Sequence, residues 1–272
     1  MSQKSLETTV HPSAIIEPGA QIDPGVLIGA YCVIGPEVSI GAGTVLENHV
    51  VIVGSTTVGR NNVIGHHAVI GGPPQLLKDL GPDTGIVIGD DNILRECVTV
   101  NTGTTKGGGP TRIGNHCLLM IAAHVAHDCI LGDYVELINN VLLAGHIRVE
   151  DRAIISGGAA LHHFVSVGTL AFVGGLSRIV QDVPPYMLVE GNPSRVRGVN
   201  VVGLRRAGVT EENISALKVA HRLLYRRNLS RNQALKRLEA QPLTPEVRHL
   251  VDFLHATAQG KQGRAREVLR SP

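Results

Sequence analysis

Five of the thirteen histidines fall between residues 124 and 163. They are His124, His127, His146, His162 and His163. Asp128 directly follows His127, and a neighbouring carboxylate can orient an imidazole and make it a better general base near neutral pH. The chain contains no GxSxG nucleophile elbow. The cluster therefore favours deprotonation of a substrate hydroxyl or amine over a covalent enzyme intermediate.

The element that must position these histidines is a six-residue repeat. From Val10 to Ile70 an aliphatic residue recurs every six positions, eleven times in succession. The series resumes over residues 88–100 and again over 113–179. A period of six fits neither a helix nor an alternating strand, but it is typical of a short strand followed by a corner turn. The chain is therefore predicted to form an all-β solenoid.

Three six-residue sides make a coil of 18 residues, so residues 18 apart lie above one another at about 4.8 Å. His127, Gly145 and His163 then share one column, with His127 and His163 roughly 10 Å apart. Gly145 has no side chain, so its N–H can reach an oxygen bound beside the His127 imidazole. The column predicts a general base next to an oxyanion donor. The twenty-six repeats predict between eight and nine coils.

Two segments rich in glycine and proline interrupt the repeat. Residues 71–87 and 101–112 are predicted to leave the solenoid as loops. Long loops on a rigid scaffold commonly carry function, because they can present side chains to a ligand without disturbing the core.

The repeat ends at Val199, and helix signals follow. The predicted N-caps are Thr210, Ser230 and Thr244. We therefore expect a β-helix over residues 1–199 and a basic α-helical domain over 200–272. The last residues, 259–272, are basic and contain glycine, so they are expected to fray.

Charge is distributed unevenly along the chain. Residues 1–194 hold 9 Lys or Arg against 17 Asp or Glu, and residues 195–272 hold 16 against 6, so the net charges are −8 and +10. This division favours an acidic protein partner for the C-terminal part, and no nucleic-acid partner is expected.

The absence of a long apolar run and of a secretory signal predicts a cytoplasmic protein without stable membrane insertion. The four cysteines show no CxxC spacing and are expected to be free thiols.

Four segments resemble the UDP-N-acetylglucosamine O-acyltransferases of lipid A biosynthesis. They are IGGPPQLLK (70–78), IAAHVAHDC (121–129), LLAGHI (142–147) and VQDVPPYMLVEGNP (180–193). The resemblance implies a left-handed parallel β-helix assembled as a homotrimer, with active sites between subunits. It also implies transfer of a (R)-3-hydroxyacyl chain from acyl carrier protein to the 3-hydroxyl of a UDP-sugar. This reaction is the first step of lipid A biosynthesis and needs no cofactor.

The resemblance also implies roles for individual residues. His127 matches the catalytic base, Asp128 its helping carboxylate and Gly145 the oxyanion donor. The predicted substrate-binding residues are Lys78, His124, His146, His162, His163, Gly175, Asn200 and Arg206. Within that set, Asn200 and Arg206 match positions near the nucleotide, and Gly175 matches the position that limits acyl length.

Several positions depart from the family pattern at contacts with the acceptor. They are Leu76 in place of an aspartate, Asn101 and Thr102 in place of a His-Arg pair, His163 in place of a glutamine, Val202 in place of a glutamate and Ala207 in place of an arginine. Because these changes fall on acceptor contacts, N-acylation of a 3-amino UDP-sugar or use of another nucleotide sugar stays open.

Three further functions can be weighed against the same residues. The N-acyltransferase that acts later in the pathway has an extra N-terminal uridine-binding domain, for which a repeat starting at Val10 leaves no room. A hexapeptide carbonic anhydrase requires zinc, and no metal site is predicted here. A non-enzymatic scaffold leaves the arrangement of His127, Asp128 and Gly145 unexplained.

Overall fold

The computed structural model describes residues 7–76 and 81–268. Over these residues the backbone winds into about ten stacked turns, each built from short parallel strands on three faces. Most strands are two residues long, because the rest of each repeat forms the corner. The predicted parallel β-helix of hexapeptide repeats, followed by C-terminal helices, is confirmed.

The strands follow one another around the three faces. In chain order they are β1 (Thr9–Val10), β2 (Ile15–Ile16), β3 (Gln21–Ile22), β4 (Leu27–Ile28), β5 (Val33–Ile34), β6 (Val38–Ile40), β7 (Val45–Leu46), β8 (Val51–Ile52), β9 (Thr56–Val58), β10 (Val63–Ile64), β11 (Val69–Gly72), β12 (Asp83–Ile88), β13 (Ile93–Leu94), β14 (Thr99–Asn101), β15 (Gly103–Thr104), β16 (Thr111–Ile113), β17 (Leu118–Leu119), β18 (His124–Val125), β19 (Ile130–Leu131), β20 (Glu136–Leu137), β21 (Leu142–Leu143), β22 (Arg148–Val149), β23 (Ile154–Ile155), β24 (Ala160–Leu161), β25 (Ser166–Val167), β26 (Phe172–Val173), β27 (Arg178–Ile179), β28 (Met187–Gly191) and β29 (Ser194–Val199). Face 1 runs from β1 to β29, face 2 from β2 to β27 and face 3 from β3 to β25.

Backbone pairing joins residues one coil apart. Leu27 pairs with Val45, which pairs in turn with Val63. Across the first insertion Val63 pairs with Ile93, so the stack resumes in register. In most of the two-residue strands the second residue points inward, and these residues form one continuous apolar core. The stack is slightly longer than the repeat count predicts, because β28 adds a strand to face 1 after the periodic residues end.

The two insertions are shorter than predicted. The predicted loop 71–87 gives way to strand at both ends, since β11 extends to Gly72 and β12 begins at Asp83. The predicted loop 101–112 contains β15, which pairs antiparallel with β12. This pairing satisfies backbone groups of both insertions with each other, and it draws them together over one edge of the solenoid.

An antiparallel hairpin of β28 and β29 closes the stack. The helices that follow are α1 (Val201–Arg206), α2 (Glu211–Tyr225), α3 (Arg231–Glu239), α4 (Pro245–Ala258) and α5 (Ala265–Val268). Thr210, Ser230 and Thr244 cap α2, α3 and α4 as predicted. Among the helices described, none has the length and apolar character that crossing a bilayer requires.

The expectation that residues 259–272 fray is wrong for the part that the structure describes. Arg264 and Arg266 hydrogen-bond to the solenoid, and α5 begins between them. Local composition cannot reveal such contacts, because their partners lie about a hundred residues earlier in the chain. Residues 269–272 lie outside the described residues.

A hydrogen-bonded pair ties α4 to the solenoid. His249 Nε2 lies 3.3 Å from Glu150 Oε2, and His249 Nδ1 lies 2.8 Å from the Tyr186 hydroxyl. The hydrogen bond with Glu150 raises the pKa of His249, against the effect of burial. Burial raises the pKa of Glu150, but hydrogen bonds from His249 and Thr169 outweigh it and lower the pKa overall.

This pair predicts a pH-dependent contribution to stability. Because the pKa of His249 is raised in the folded state, its contribution to stability is fully present below pH 6.5, its ordinary pKa. This contribution disappears as pH rises through the raised pKa. The contribution of Glu150 to stability is present above pH 4.5, its ordinary pKa, and disappears as pH falls through its lowered pKa. The substitution His249→Phe should therefore lower Tm more at about pH 6 than at about pH 8.5. An equal loss at both pH values, with His11→Phe as the exposed control, would contradict this.

Candidate active site

The central feature of the site is the pair formed by His127 and Asp128. They occupy the corner between β18 and β19, on the edge where faces 2 and 3 meet. His127 Nδ1 lies 2.7 Å from Asp128 Oδ2, and the two side chains are 5% and 1% exposed. An ionised carboxylate can only accept a hydrogen bond, so the Nδ1 atom of His127 carries the proton. The Nε2 atom of the same ring is then left with a lone pair. The imidazole is therefore oriented to take up a proton at Nε2.

The second insertion holds the Asp128 carboxylate in place. Thr104 donates to it from its backbone N–H at 2.7 Å and from its hydroxyl at 3.0 Å. The Asp128 N–H donates to the Thr111 hydroxyl at 2.9 Å. A side chain at Gly107 would collide with the carboxylate, so the loop passes close over it. Thr104 and Thr111 were not predicted as site residues, although both lie in the interruption that the repeat pattern exposes.

Opposing effects set the charge of Asp128. Burial raises its pKa, but hydrogen bonds from His127 and Thr104, together with the nearby His146, outweigh burial and lower the pKa. Asp128 therefore stays ionised near neutral pH.

Gly145 lies against the His127 ring on the next coil. A Cβ built on Gly145 would stand 2.5 Å from His127 Nε2, a distance that real Cβ atoms do not reach. Only glycine therefore fits at this position. Among the described residues, no backbone carbonyl accepts a hydrogen bond from the Gly145 N–H. The structure thus brings Gly145 and His127 together as the 18-residue column predicts.

Two further histidines surround this pair. His146 Nδ1 lies 3.6 Å from Asp128 Oδ2, and its ring meets the His127 ring edge-on with centroids 5.0 Å apart. His124 Nδ1 lies 2.8 Å from the Thr99 hydroxyl. Burial and the proximity of His127 lower the pKa of His124, which favours its neutral form. A neutral His124 can accept or donate a hydrogen bond to a substrate group.

The same side chains could bind a metal ion. Ligand atoms of His127, Asp128 and His146 all lie within 4.8 Å of one another, and imidazole and carboxylate are ligands that zinc accepts. The Asp128 carboxylate, however, already receives hydrogen bonds from His127 and Thr104. Metal binding and the orientation of His127 as a base therefore require the same atoms.

The remaining predicted residues lie farther from this corner. His162 and His163 are one coil beyond Gly145, where Arg264 lies 2.6 Å from His162 Nδ1 and donates to the His163 carbonyl at 2.8 Å. Gly175 lies on the edge between faces 1 and 2. Lys78 lies outside the described residues.

Asn200 and Arg206 line a cavity of about 270 Å³ beside the edge between faces 3 and 1. Val202, Ala207 and Arg152 line the same cavity. Asn200 caps α1 through its side-chain oxygen and donates to the Leu170 carbonyl at 2.9 Å. Within one chain, the predicted residues therefore occupy three different edges of the solenoid.

Comparison with known proteins identifies the chain. A family model described as UDP N-acetylglucosamine O-acyltransferase, domain 2, matches residues 182–263, and a model of the GMPPB C-terminal domain matches 5–106. An acyl-[acyl-carrier-protein]–UDP-N-acetylglucosamine O-acyltransferase of Anaeromyxobacter dehalogenans (strain 2CP-1) is 51% identical over 92% of this chain and 98% of its own. The chain belongs to the UDP-N-acetylglucosamine O-acyltransferase family. The resemblance of the four sequence segments to that family is confirmed.

Solved structures agree with this membership. LpxA from Acinetobacter baumannii is 41% identical, with a TM-score of 0.86 over 89% of this chain and 95% of that chain. The UDP-N-acetylglucosamine acyltransferase from Bacteroides fragilis is 37% identical, with a TM-score of 0.88 over 91% of this chain and 97% of that chain. The whole solenoid and its helices are therefore typical of UDP-N-acetylglucosamine O-acyltransferases.

Asn101 and Thr102, two positions predicted to depart from the family pattern, contact the first insertion. The Asn101 amide donates to the Pro73 carbonyl at 2.8 Å, whereas its buried side-chain oxygen has no hydrogen-bond partner within the described ranges. The Thr102 N–H donates to the Gly72 carbonyl at 2.9 Å. Leu76 is 37% exposed at the end of the described part of that insertion. Asn101 and Thr102 thus hold the start of this loop against the solenoid.

The contacts of Asp128 predict a cost for removing the Thr104 hydroxyl. The substitution Thr104→Val keeps the shape of the side chain but takes one donor from a buried carboxylate. Because hydrogen bonds to charged groups are worth about 1.5–3 kcal/mol, the free energy of unfolding in urea should fall by about that amount. The control is Thr57→Val, an exposed outward-facing residue of face 3. Equal stability of the two variants would contradict the role of Thr104.

Proposed function

We propose that this chain transfers a (R)-3-hydroxyacyl group from acyl carrier protein to the 3-hydroxyl of UDP-N-acetylglucosamine, the first step of lipid A biosynthesis. The observation that carries the proposal is the buried His127–Asp128 pair packed against Gly145. Relatives about half identical over most of the chain bear the name of this activity. The proposed location is the cytoplasm.

The reaction needs a base and an oxyanion donor. His127 Nε2 removes the proton of the sugar hydroxyl while its oxygen attacks the thioester carbonyl carbon. The carbonyl oxygen becomes negatively charged and accepts a hydrogen bond from the Gly145 N–H. The C–S bond then breaks, and His127 returns the proton to the departing thiolate. Asp128 stabilises the imidazolium between the two proton transfers.

The outer surfaces of the three faces favour a closed trimer. Outward residues on face 1 and face 2 are mostly aliphatic, among them Leu27 (43% exposed), Ile93 (44%), Ile15 (59%) and Leu142 (51%). Face 3 presents mainly polar side chains, such as Gln21, Ser39, Thr57, Arg112 and Arg148. A ring that joins face 1 of one copy to face 2 of the next buries both apolar faces.

Such a ring also completes the site. The edge that carries His127 borders face 2, and the cavity of Asn200 and Arg206 borders face 1. Joining those two faces brings the His127 of one subunit next to the cavity of its neighbour. The nucleotide then binds in the cavity, where Arg206 and Arg152 supply positive charge for its diphosphate.

The basic C-terminal domain suits the other substrate. Residues 195–272 carry a net charge of +10 on a body of −8. Acyl carrier proteins are acidic, so the field of this domain steers the carrier toward the edge of the solenoid that carries the site.

N-acylation of a 3-amino UDP-sugar is the second candidate. It is favoured by the replaced acceptor contacts, in particular by the buried Asn101 oxygen that has no hydrogen-bond partner within the described ranges. The same base and oxyanion donor serve either acceptor, because each step moves one proton from the attacking atom.

The proposed mechanism predicts that His127→Ala strongly reduces acyl transfer, because it removes the proposed general base. We expect kcat to fall by about 10²–10⁴-fold, with assembly unchanged. Gly145→Ala should cause a comparable loss, because its Cβ displaces the imidazole. Turnover is measured with hydroxyacyl carrier proteins of graded chain length and with both UDP-N-acetylglucosamine and its 3-amino analogue.

The exposed His11 provides the control, since His11→Ala should retain full activity. Near wild-type turnover of His127→Ala would contradict the mechanism. Preference for the 3-amino analogue would support the second candidate, and the graded chain lengths test whether Gly175 leaves room for a longer acyl chain. One equivalent of tightly bound zinc per chain would favour the carbonic anhydrase alternative instead.

A further inference from the structure

The C-terminal segment Gly263–Arg266 docks on the edge of the solenoid that carries the proposed base. Its anchor is Asp182, whose carboxylate accepts hydrogen bonds from the Arg264 N–H at 3.0 and 3.2 Å. The same carboxylate accepts from the Ser166 N–H at 2.9 Å. One half-buried acidic group thus joins the segment to the solenoid beyond the site.

The position of Gly263 shows that this docking is tight. Its φ is +76°, in the left-handed region that favours glycine. A Cβ at Gly263 would stand 2.5 Å from Asp182 Cγ, well inside contact distance. Any side chain at position 263 therefore forces the segment away from Asp182.

Arg266 reaches from this anchor to the corner beside the site. Its terminal nitrogen donates to the carbonyl of His146 at 2.7 Å and to that of Phe164 at 3.2 Å. Its guanidinium carbon lies 5.5 Å from the centre of the Phe164 ring. One side chain thus joins two successive coils at their corner residues.

Those two corner residues belong to the surroundings of the proposed base. His146 and Phe164 both have left-handed backbones, with φ of 63° and 65°, a conformation that non-glycine residues adopt at a cost. Their rings stack with centroids 4.4 Å apart. The His146 imidazole in turn lies 3.6 Å from the Asp128 carboxylate. A continuous set of contacts therefore runs from Arg266 through His146 to Asp128.

We infer that Arg266 is a positioning residue for acyl transfer, which holds the His146 corner and through it the Asp128 carboxylate that orients His127. The inference rests on the proposed function for its readout in turnover. A planar guanidinium suits this task, because it can donate to two carbonyls while lying over a ring. A lysine at 266 keeps the charge but loses the planar fork.

Two substitutions of Arg266 separate positioning from charge. Both Arg266→Lys and Arg266→Gln should lower kcat by about 10- to 100-fold, the effect of a small displacement at a reacting group. KM for the carrier protein and for the nucleotide should stay within about twofold. The control is Arg237→Gln, which removes the same charge from an exposed position of α3 and should leave kcat unchanged.

Either of two kinetic results would overturn the inference. Full kcat in Arg266→Lys would show that positive charge alone is sufficient. A raised KM for the carrier protein with unchanged kcat would place Arg266 in the carrier-binding surface instead.

A measurement that needs no turnover distinguishes this inference from the proposed function. The His146 N–H donates to the His127 carbonyl at 3.0 Å, so loosening of the corner should speed hydrogen exchange at the His146 amide. Faster exchange at this amide in Arg266→Lys and in Gly263→Val, with Arg237→Gln unchanged, supports the positioning role even if the substrate proves different. Unchanged exchange at this amide in both variants would overturn it.

Discussion

The backbone ladder between successive coils is the interaction on which the rest of the structure depends. Each strand contributes only a few hydrogen bonds, but every strand pairs with its counterpart one coil away, so the stack forms a single rigid body. The spacing of about 4.8 Å between paired strands leaves little room between side chains in one column. A bulky imidazole at His127 is therefore compatible only with glycine at position 145. The same spacing places the Gly145 backbone next to the imidazole without any dedicated loop.

A rigid stack also explains how a charged group can be buried at its edge. The Asp128 carboxylate is stable there because Thr104 and His127 satisfy it, and Thr104 is positioned by the pairing of β12 with β15. The insertions thus complete a site that the repeat alone leaves unfinished. His146 and Phe164 extend it along the edge, and the C-terminal segment covers the end of this series through Arg266.

Much of this arrangement follows from sequence, and the remainder has identifiable physical reasons. The six-residue period predicts the solenoid and the column of His127 and Gly145, because pairing one coil apart is a local rule. The caps at Thr210, Ser230 and Thr244 are equally local. The contacts of Thr104 and Arg266 could not be predicted, because they depend on the path of non-periodic segments, and Arg266 reaches a residue 120 positions earlier. The catalytic and substrate-binding roles assigned to the site residues stay predictions, and Lys78 lies outside the described residues.

The proposed active site requires two neighbouring subunits, because His127 comes from one subunit and Arg206 from the next. Subunits carrying only His127→Ala and subunits carrying only Arg206→Ala are each expected to be inactive as homotrimers. When equal amounts of the two variants exchange subunits at random, about a quarter of the interfaces pair an intact His127 with an intact Arg206. About a quarter of wild-type turnover should therefore return. No recovery after demonstrated subunit exchange would contradict the account, since it would mean that both residues serve the same site from the same chain.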